Sequence, residues 1–224
     1  MIQRVYERAV TSDAVAVYVA TDDERIAESV MSFGGQVVMT STEHLSGTDR
    51  IYEAASAQGL NDDAIVVNVQ GDEPLMPAEA INQVAGLLAG DARMATLMTA
   101  LRQSSEIFDP NIVKVVTDET DRALYFSRAP IPWSRSDFDQ GKKDVSGVQG
   151  WFRHLGIYSY RMSLLREFIT WPVARLERTE ALEQLRVLAN GERIQIAKSR
   201  VDIPPGIDRP EDVPNVLEAL AGED

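Results

Sequence analysis

Five residues, Gln70-Gly71-Asp72-Glu73-Pro74, follow directly on the apolar run Ala64–Val69 (AIVVNV). Open α/β sheets bind their ligands beyond the carboxyl ends of the strands, which is where this segment would lie. Asp72 offers a hard carboxylate oxygen of the kind Mg²⁺ takes up together with phosphate oxygens. Gly71 lets a ligand come close to the backbone. The same five residues read equally well as a polar turn punctuated by Glu73-Pro74. A second carboxylate, Asp208, stands in Pro204-Pro205-Gly206-Ile207-Asp208-Arg209-Pro210-Glu211-Asp212. Pro210 suits the first position of a helix, and Glu211 and Asp212 then favour its dipole from the first turn. Asp208 precedes that helix, so helix initiation does not account for it, but its spacing alone says little.

The remaining polar candidates each carry a structural alternative. Ser46-Gly47-Thr48-Asp49-Arg50 opens a helix after a strand, so its amides and hydroxyls can hold an anion or the polar edge of a base. Ser46 and Asp49 also have capping-box spacing. Arg128 follows the strand Ala123–Ser127 and can grip a carboxylate with two parallel bonds or form a surface ion pair. His154, Gly156 and Tyr158 share one face of a strand by period 2. With His44 as the only other histidine, His154 makes no metal site. Glu183 and Gln184 fall in a helix read as Thr179–Asn190, where a solvated face is the default. His44 and Asp22-Asp23 read as loop and capping residues, and Lys114 as part of a sheet. No P-loop, Rossmann glycine fingerprint or Ser-His-Asp order is present.

Strand-length apolar runs alternate with helix-period segments, which predicts an α/β fold. Ile2, Val5, Tyr6 and Ala9 mark a helix with no capping residue ahead of it. Strands are expected at Ala14–Ala20 (buried), Gln36–Thr40 and Ala64–Val69, the last apolar on both faces and therefore central and parallel. Helices are expected at Asp23–Phe33, from Ser46 to about Ala57, and from Pro77 to Leu88. The second half brings strands closer together, at Arg93–Thr99, Val113–Thr117, Ala123–Ser127, Leu155–Tyr160 and Ile194–Lys198. Its helices are read at Met162–Ile169, Thr179–Asn190 and Pro210–Leu220. The polar stretch Pro130–Gly150 reads as a loop or lid. The expected architecture is one domain: a mostly parallel, Rossmann-like sheet with a smaller subsidiary sheet region in the second half.

Composition narrows the classes. The 224 residues carry 35 acidic and 22 basic side chains, a formal charge of −13, and no cysteine. Nucleic-acid binding needs clustered Lys and Arg and is not expected. No disulfide framework or thiolate metal site is possible, and a reducing cytoplasm suits the chain. No apolar run reaches the ~18 residues of a membrane span, and the N-terminus is no secretory signal.

Taken together, these segments resemble the CMP-KDO synthetases, the 3-deoxy-manno-octulosonate cytidylyltransferases of Gram-negative bacteria. The resemblance rests on Ala20–Asp23 (ATDD), His44–Arg50 (HLSGTDR), Val67–Pro74 (VNVQGDEP), Ala123–Trp133 (ALYFSRAPIPW), Arg153–Tyr158 (RHLGIY), Leu182–Arg186 (LEQLR) and Asp208–Asp212 (DRPED), in order along the chain. It implies transfer of CMP from CTP to the anomeric hydroxyl of the eight-carbon sugar acid KDO, with release of pyrophosphate, for lipopolysaccharide biosynthesis. It further implies that Asp72 and Asp208 are the catalytic carboxylates and hold Mg²⁺. Ser46, Gly47, Thr48, Arg50 and Gly71 would lie on the nucleotide side. Gln70, Arg128, His154, Tyr158, Glu183 and Gln184 would line the sugar pocket, Arg128 toward the KDO carboxylate. The resemblance also implies a cytoplasmic homodimer. The family begins with a strand and a Pro-Ala-Arg…Ser…Arg-Leu-Pro-Gly-Lys-Pro phosphate clamp. Here Met1–Val5 correspond to the helix after it, so the sequence reads as N-terminally incomplete. Two alternatives follow: a non-catalytic nucleotide- or sugar-binding remnant, or a cytidylyltransferase for a related sugar acid.

Overall fold

The computed structural model describes residues 1–44, 46–138, 149–204, 206–207 and 209–221, with the backbone alone at 215 and 221. The first half alternates α1 (Ile2–Val10), β1 (Val19–Thr21), α2 (Glu24–Ser32), β2 (Val37–Met39), α3 (Gly47–Ala57), β3 (Ile65–Asn68), α4 (Ala78–Gly86) and β4 (Met94–Ala100). The second half continues with α5 (Ser104–Phe108), β5 (Lys114–Thr117), β6 (Ala123–Ser127), α6 (Arg135–Phe138) and β7 (Phe152–Arg161). It ends with α7 (Met162–Phe168), α8 (Arg175–Glu180), α9 (Gln184–Ala189), β8 (Ile194–Lys198) and α10 (Val213–Ala221).

The ten-residue β7 organises the main sheet. Along one edge it pairs with β4; β3 and β5 pair with it at opposite ends, at Tyr158–Arg161 and Phe152–Arg153. β6 extends the sheet beyond β5, and β8 beyond β4. The fold is α/β as expected, with mixed pairing. β4 and β8 run parallel, as do β1 and β2 in a separate small sheet, whereas every β7 pairing and β5–β6 are antiparallel. The stretch Pro130–Gly150, expected as a loop or lid, carries α6 at its start, and its residues 139–148 lie outside the described residues.

Period-2 alternation assigns each strand residue to one of two cores. On β4, Met94 and Met98 pack with Phe126, Tyr160, Leu164, Leu165 and Leu185 on one face. Ala95 and Leu97 pack with Ile81, Val84, Leu88, Leu155 and Ile157 on the other. β3 obeys the same rule, Val66 facing the first core and Val67 the second, so its apolar character on both faces is real. Its central, parallel placement is corrected: it pairs antiparallel with β7 alone among the described residues, and Ile65 is exposed. The predicted buried strand Ala14–Ala20 shrinks to Val19–Thr21, with Val15 fully exposed, because its alternation finds a partner only in β2.

The predicted helix Thr179–Asn190 is split. Ala181 adopts a left-handed conformation (φ 52°, ψ 51°) that closes α8, and α9 starts afresh at Gln184. A buried ion pair locks the two helices together: Arg186 Nε donates to Glu177 Oε2 at 2.9 Å, and its guanidinium lies 4.3 Å from the centre of the Phe168 ring. Breaking such a pair leaves a buried charge without a counterion. Arg186→Met is expected to lower the unfolding free energy by about 3–5 kcal/mol in urea titrations. Adding Glu177→Gln to that variant should return a large part of the loss.

Candidate active site

α3, β7 and the start of α9 bring four of the anticipated residues to one place. Thr48, buried in the first turn of α3, donates from Oγ1 to Glu183 Oε2 at 2.9 Å, tying α3 to the start of α9. Thr48, Tyr158, Glu183 and Gln184 line a small cavity with Met94, Tyr160, Phe168 and Val187. Glu183 Oε1 is buried there with no hydrogen-bond partner in the structure, an unmet acceptor of the kind a ligand hydroxyl or water satisfies. Burial raises the hydroxyl pKa of both Tyr158 and Tyr160, with the carboxylate of Glu183 adding to the effect, so both are neutral donors.

His154 joins this cluster through stacking. Its ring lies 5.2 Å from Tyr158 and meets Phe126 edge-on at 5.0 Å. Nε2 stands 3.0 Å from Thr96 Oγ1, and burial pushes the ring's pKa down to about 3. The exposed Gln70 comes from the end of β3: its Nε2 lies 4.0 Å from where a β-carbon on Gly156 would stand.

Arg128 sits at the corner before α9. Its Nε and NH1 donate to the carbonyls of Glu180 (2.7 Å) and Pro110 (3.0 Å), and NH2 reaches the carbonyl of Ala181 at 3.5 Å. Among the described residues these bonds use three of its five N–H donors. Burial would raise the carboxyl pKa of Glu180, but bonds from Arg128 N and from the Ser127 and Tyr125 hydroxyls outweigh it and hold it low. Lys114 supports the corner from inside the sheet: fully buried, it donates to the carbonyls of Asp109, Ile112 and Arg128.

The other candidates lie at the ends of β3 and of the small sheet. The Asp72 carbonyl accepts from Ile207 N at 2.8 Å, and a β-carbon on Gly206 would come within 2.8 Å of that carbonyl oxygen. Glycine there allows the loop ahead of residue 208 to close on the Asp72 turn; Asp208 itself lies outside the described residues. Gly71 is exposed, with Ile2 of α1 at 3.7 Å from its β-position. Ser46 caps α3, accepting from Asp49 N and donating to Asp49 Oδ2 at 2.9 Å. Gly47 follows it with open space around its β-position. Arg50 donates to Thr40 Oγ1 and Asp22 Oδ2, so Asp22 is an ion-pair partner, whereas Asp23 caps α2. Among the described residues no three His, Asp or Glu side chains gather as a metal cluster, and no helix is long and apolar enough to cross a membrane.

Sequence reasoning missed Thr96 and Tyr160. Tyr160 was within reach of the alternation that groups His154 with Tyr158. Thr96 is the one hydroxyl inside the apolar run Met94-Ala95-Thr96-Leu97-Met98, a signal left unread. Glu180, at the end of a helix, gave none.

The start of α3 thus stands beside a small cavity bordered by β7 and the start of α9, and the chain belongs to the cytidylyltransferase family, whose model matches residues 1–194. Within that family it is similar to proteins named 3-deoxy-manno-octulosonate cytidylyltransferase. The protein of that name from Cellvibrio japonicus is 54% identical over 98% of this chain and 88% of its own length. The one from Alcanivorax borkumensis is 49% identical over 100% and 89%. Among solved structures, a CMP:2-keto-3-deoxy-manno-octonic acid synthetase complexed with CTP superposes with a TM-score of 0.87 at 36% identity, covering 100% of this chain and 88% of that one. A 4-diphosphocytidyl-2C-methyl-D-erythritol synthase shares the fold at 12% identity (TM-score 0.59).

The depressed pKa of His154 makes a prediction about stability. As pH falls from 6.5 toward 3, the unfolded chain binds a proton that the folded ring refuses, so unfolding is favoured in that window and unaffected above it. His154 should contribute a slope of about 1.4 kcal/mol per pH unit between pH 6 and 4. Urea titrations of wild type and His154→Gln at pH 6, 5 and 4 should diverge by that amount; parallel curves would contradict it.

Proposed function

We propose that the chain catalyses transfer of the cytidylyl group of CTP to the anomeric hydroxyl of 3-deoxy-manno-octulosonate, forming CMP-KDO and pyrophosphate for lipopolysaccharide synthesis. The observation that carries the reading is the Thr48–Tyr158–Glu183–Gln184 cavity, in a chain 54% identical to a protein bearing that activity's name. The anomeric oxygen forms a bond to the α-phosphorus and releases its proton to solvent, while the bond from that phosphorus to the bridging oxygen breaks and pyrophosphate leaves.

On the sugar side, Glu183 Oε1 accepts a sugar hydroxyl, and Tyr158, Gln184, Gln70 and His154 supply the remaining polar contacts. The two unoccupied N–H donors of Arg128 face the carboxylate of the sugar acid. On the nucleotide side, the amides at Ser46 and Gly47, the hydroxyl of Thr48, Arg50 and the bare backbone at Gly71 accept the base, ribose and phosphates. The bond from Thr48 to Glu183 joins the two sides, so the nucleotide-bearing helix and the sugar-bearing helix keep a fixed separation. That matters because in-line attack requires the reacting atoms held about 3–3.5 Å apart.

Asp72 and Asp208 would hold Mg²⁺. Their carboxylates are hard oxygen donors, and the Gly206–Ile207 strap brings the residue before Asp208 onto the Asp72 turn. When bound, the ion supplies charge neutralisation on the phosphates and polarisation of the attacking oxygen. The protein works in this reading as one domain, in the cytoplasm and as a homodimer, with Leu124, 60% exposed on β6, among the apolar groups a second copy would cover.

Pyrophosphate release from CTP should depend on added KDO and proceed faster than with an amino-KDO or a sialic acid. Asp72→Asn should retain its circular dichroism and lose roughly 100-fold or more in kcat. Equal or faster turnover of another sugar acid would displace KDO, and KDO-independent behaviour would sink the assignment.

A further inference from the structure

The register between β4 and β7 slips at one point. Thr96 stands opposite Tyr158, yet the next residue, Leu97, stands opposite Leu155. One step along β4 therefore spans three along β7, and Gly156 and Ile157 are two extra residues in the bulge. Two extra residues preserve the alternation of faces, so Leu155 and Ile157 both remain in one core while His154 and Tyr158 both remain on the other side. The carbonyls of Leu155 and Ile157 flank the bulge. Both are met by one group: Thr96 Oγ1, fully buried, lies 3.1 Å from the Leu155 oxygen and 2.8 Å from the Ile157 oxygen.

The same hydroxyl is 3.0 Å from His154 Nε2. A threonine hydroxyl has one hydrogen, and carbonyl oxygens only accept. If that hydrogen pointed to Nε2, the oxygen lone pairs would face two carbonyl oxygens with no proton between them. Directed at the carbonyls instead, it leaves a lone pair for His154 Nε2–H. Among the described residues the ring's one hydrogen bond is through Nε2, and Nδ1 has no such partner. Neutral histidine carries one ring proton, so placing it on Nε2 makes Nδ1 an acceptor.

We propose that Thr96 is a positioning residue for the reaction: it holds His154 in the Nε2–H tautomer, so that Nδ1 accepts a hydrogen bond from a hydroxyl of the sugar acid. This rests on the assignment of His154 to the sugar side. The pKa pushed down to about 3 agrees, since a doubly protonated ring has no acceptor.

The test is ¹⁵N NMR of the imidazoles, in which only His44 and His154 contribute and His154→Gln identifies the second. In wild type, His154 should show a protonated Nε2 and an unprotonated Nδ1. Thr96→Val, which keeps the shape and removes the hydroxyl, should mix the two tautomers and raise KM for KDO roughly tenfold, with kcat much less affected, as for one lost hydrogen bond. Thr96→Ser should restore both. A protonated Nδ1 in wild type, or an unchanged tautomer in folded Thr96→Val, overturns the inference. The tautomer is read on unliganded protein, so finding that another sugar acid is the substrate would displace KDO while leaving the tautomer result standing.

Discussion

Everything chemical in this protein hangs on how β7 is held. β7 pairs with β4 along one edge and with β3 and β5 at opposite ends, and it carries a bulge whose two extra residues keep His154, Tyr158 and Tyr160 on one side. A bulge inside a buried sheet strands carbonyls in a medium with no water, where an unmet acceptor costs about 1–3 kcal/mol. A single threonine hydroxyl meets both. Around that local solution the rest is arranged: Gln70 lies beside Gly156, and Tyr158 and Tyr160 share a cavity with Glu183 and Gln184 at the start of α9.

A second set of constraints holds the facing wall. The corner between α8 and α9 turns through a left-handed alanine, and it is pinned by polar groups from three directions: Arg128 on its carbonyls, Lys114 on the carbonyl of Arg128, and the Glu177–Arg186 pair across the helices. Each is a buried or half-buried cation facing acceptors at fixed geometry, which places Glu183 and Gln184 more narrowly than apolar packing would. Shape-insensitive hydrophobic contact sets the distance of the helix from the sheet; hydrogen bonds set which residues face the cavity.

Much of this was legible in the sequence, and the limits have physical causes. Alternation in Met94–Met98 and in Val66–Val67 reports which face each residue takes, because burial acts on side chains one at a time. Pairing direction was not legible, since a strand's own residues say nothing of which neighbour arrives or from which end. Hence Ala64–Val69 reads as apolar on both faces, correctly, and as parallel and central, incorrectly. The split of Thr179–Asn190 was invisible because alanine at position 181 is a good helix former, and tertiary bonds at the corner override that preference. Thr48, Tyr158 and Glu183, which line one cavity, stand in motifs that residue type singles out, whereas Thr96 and Lys114 work by bonding to backbone carbonyls, which leave no trace in residue type.

The hydrogen bond from Thr48 to Glu183 spans 135 positions of chain. Contacts of such separation form late, after the entropy of closing a long loop has been overcome, and slow the folding of proteins that depend on them. The cavity wall that Thr48 and Glu183 build together therefore cannot exist before both ends of this span have folded, however well the β1–α3 region has settled by then. Occupancy of the site is in effect a report that the whole polypeptide has reached its final topology, and any ligand bridging the two sides would act as a latch on that last step.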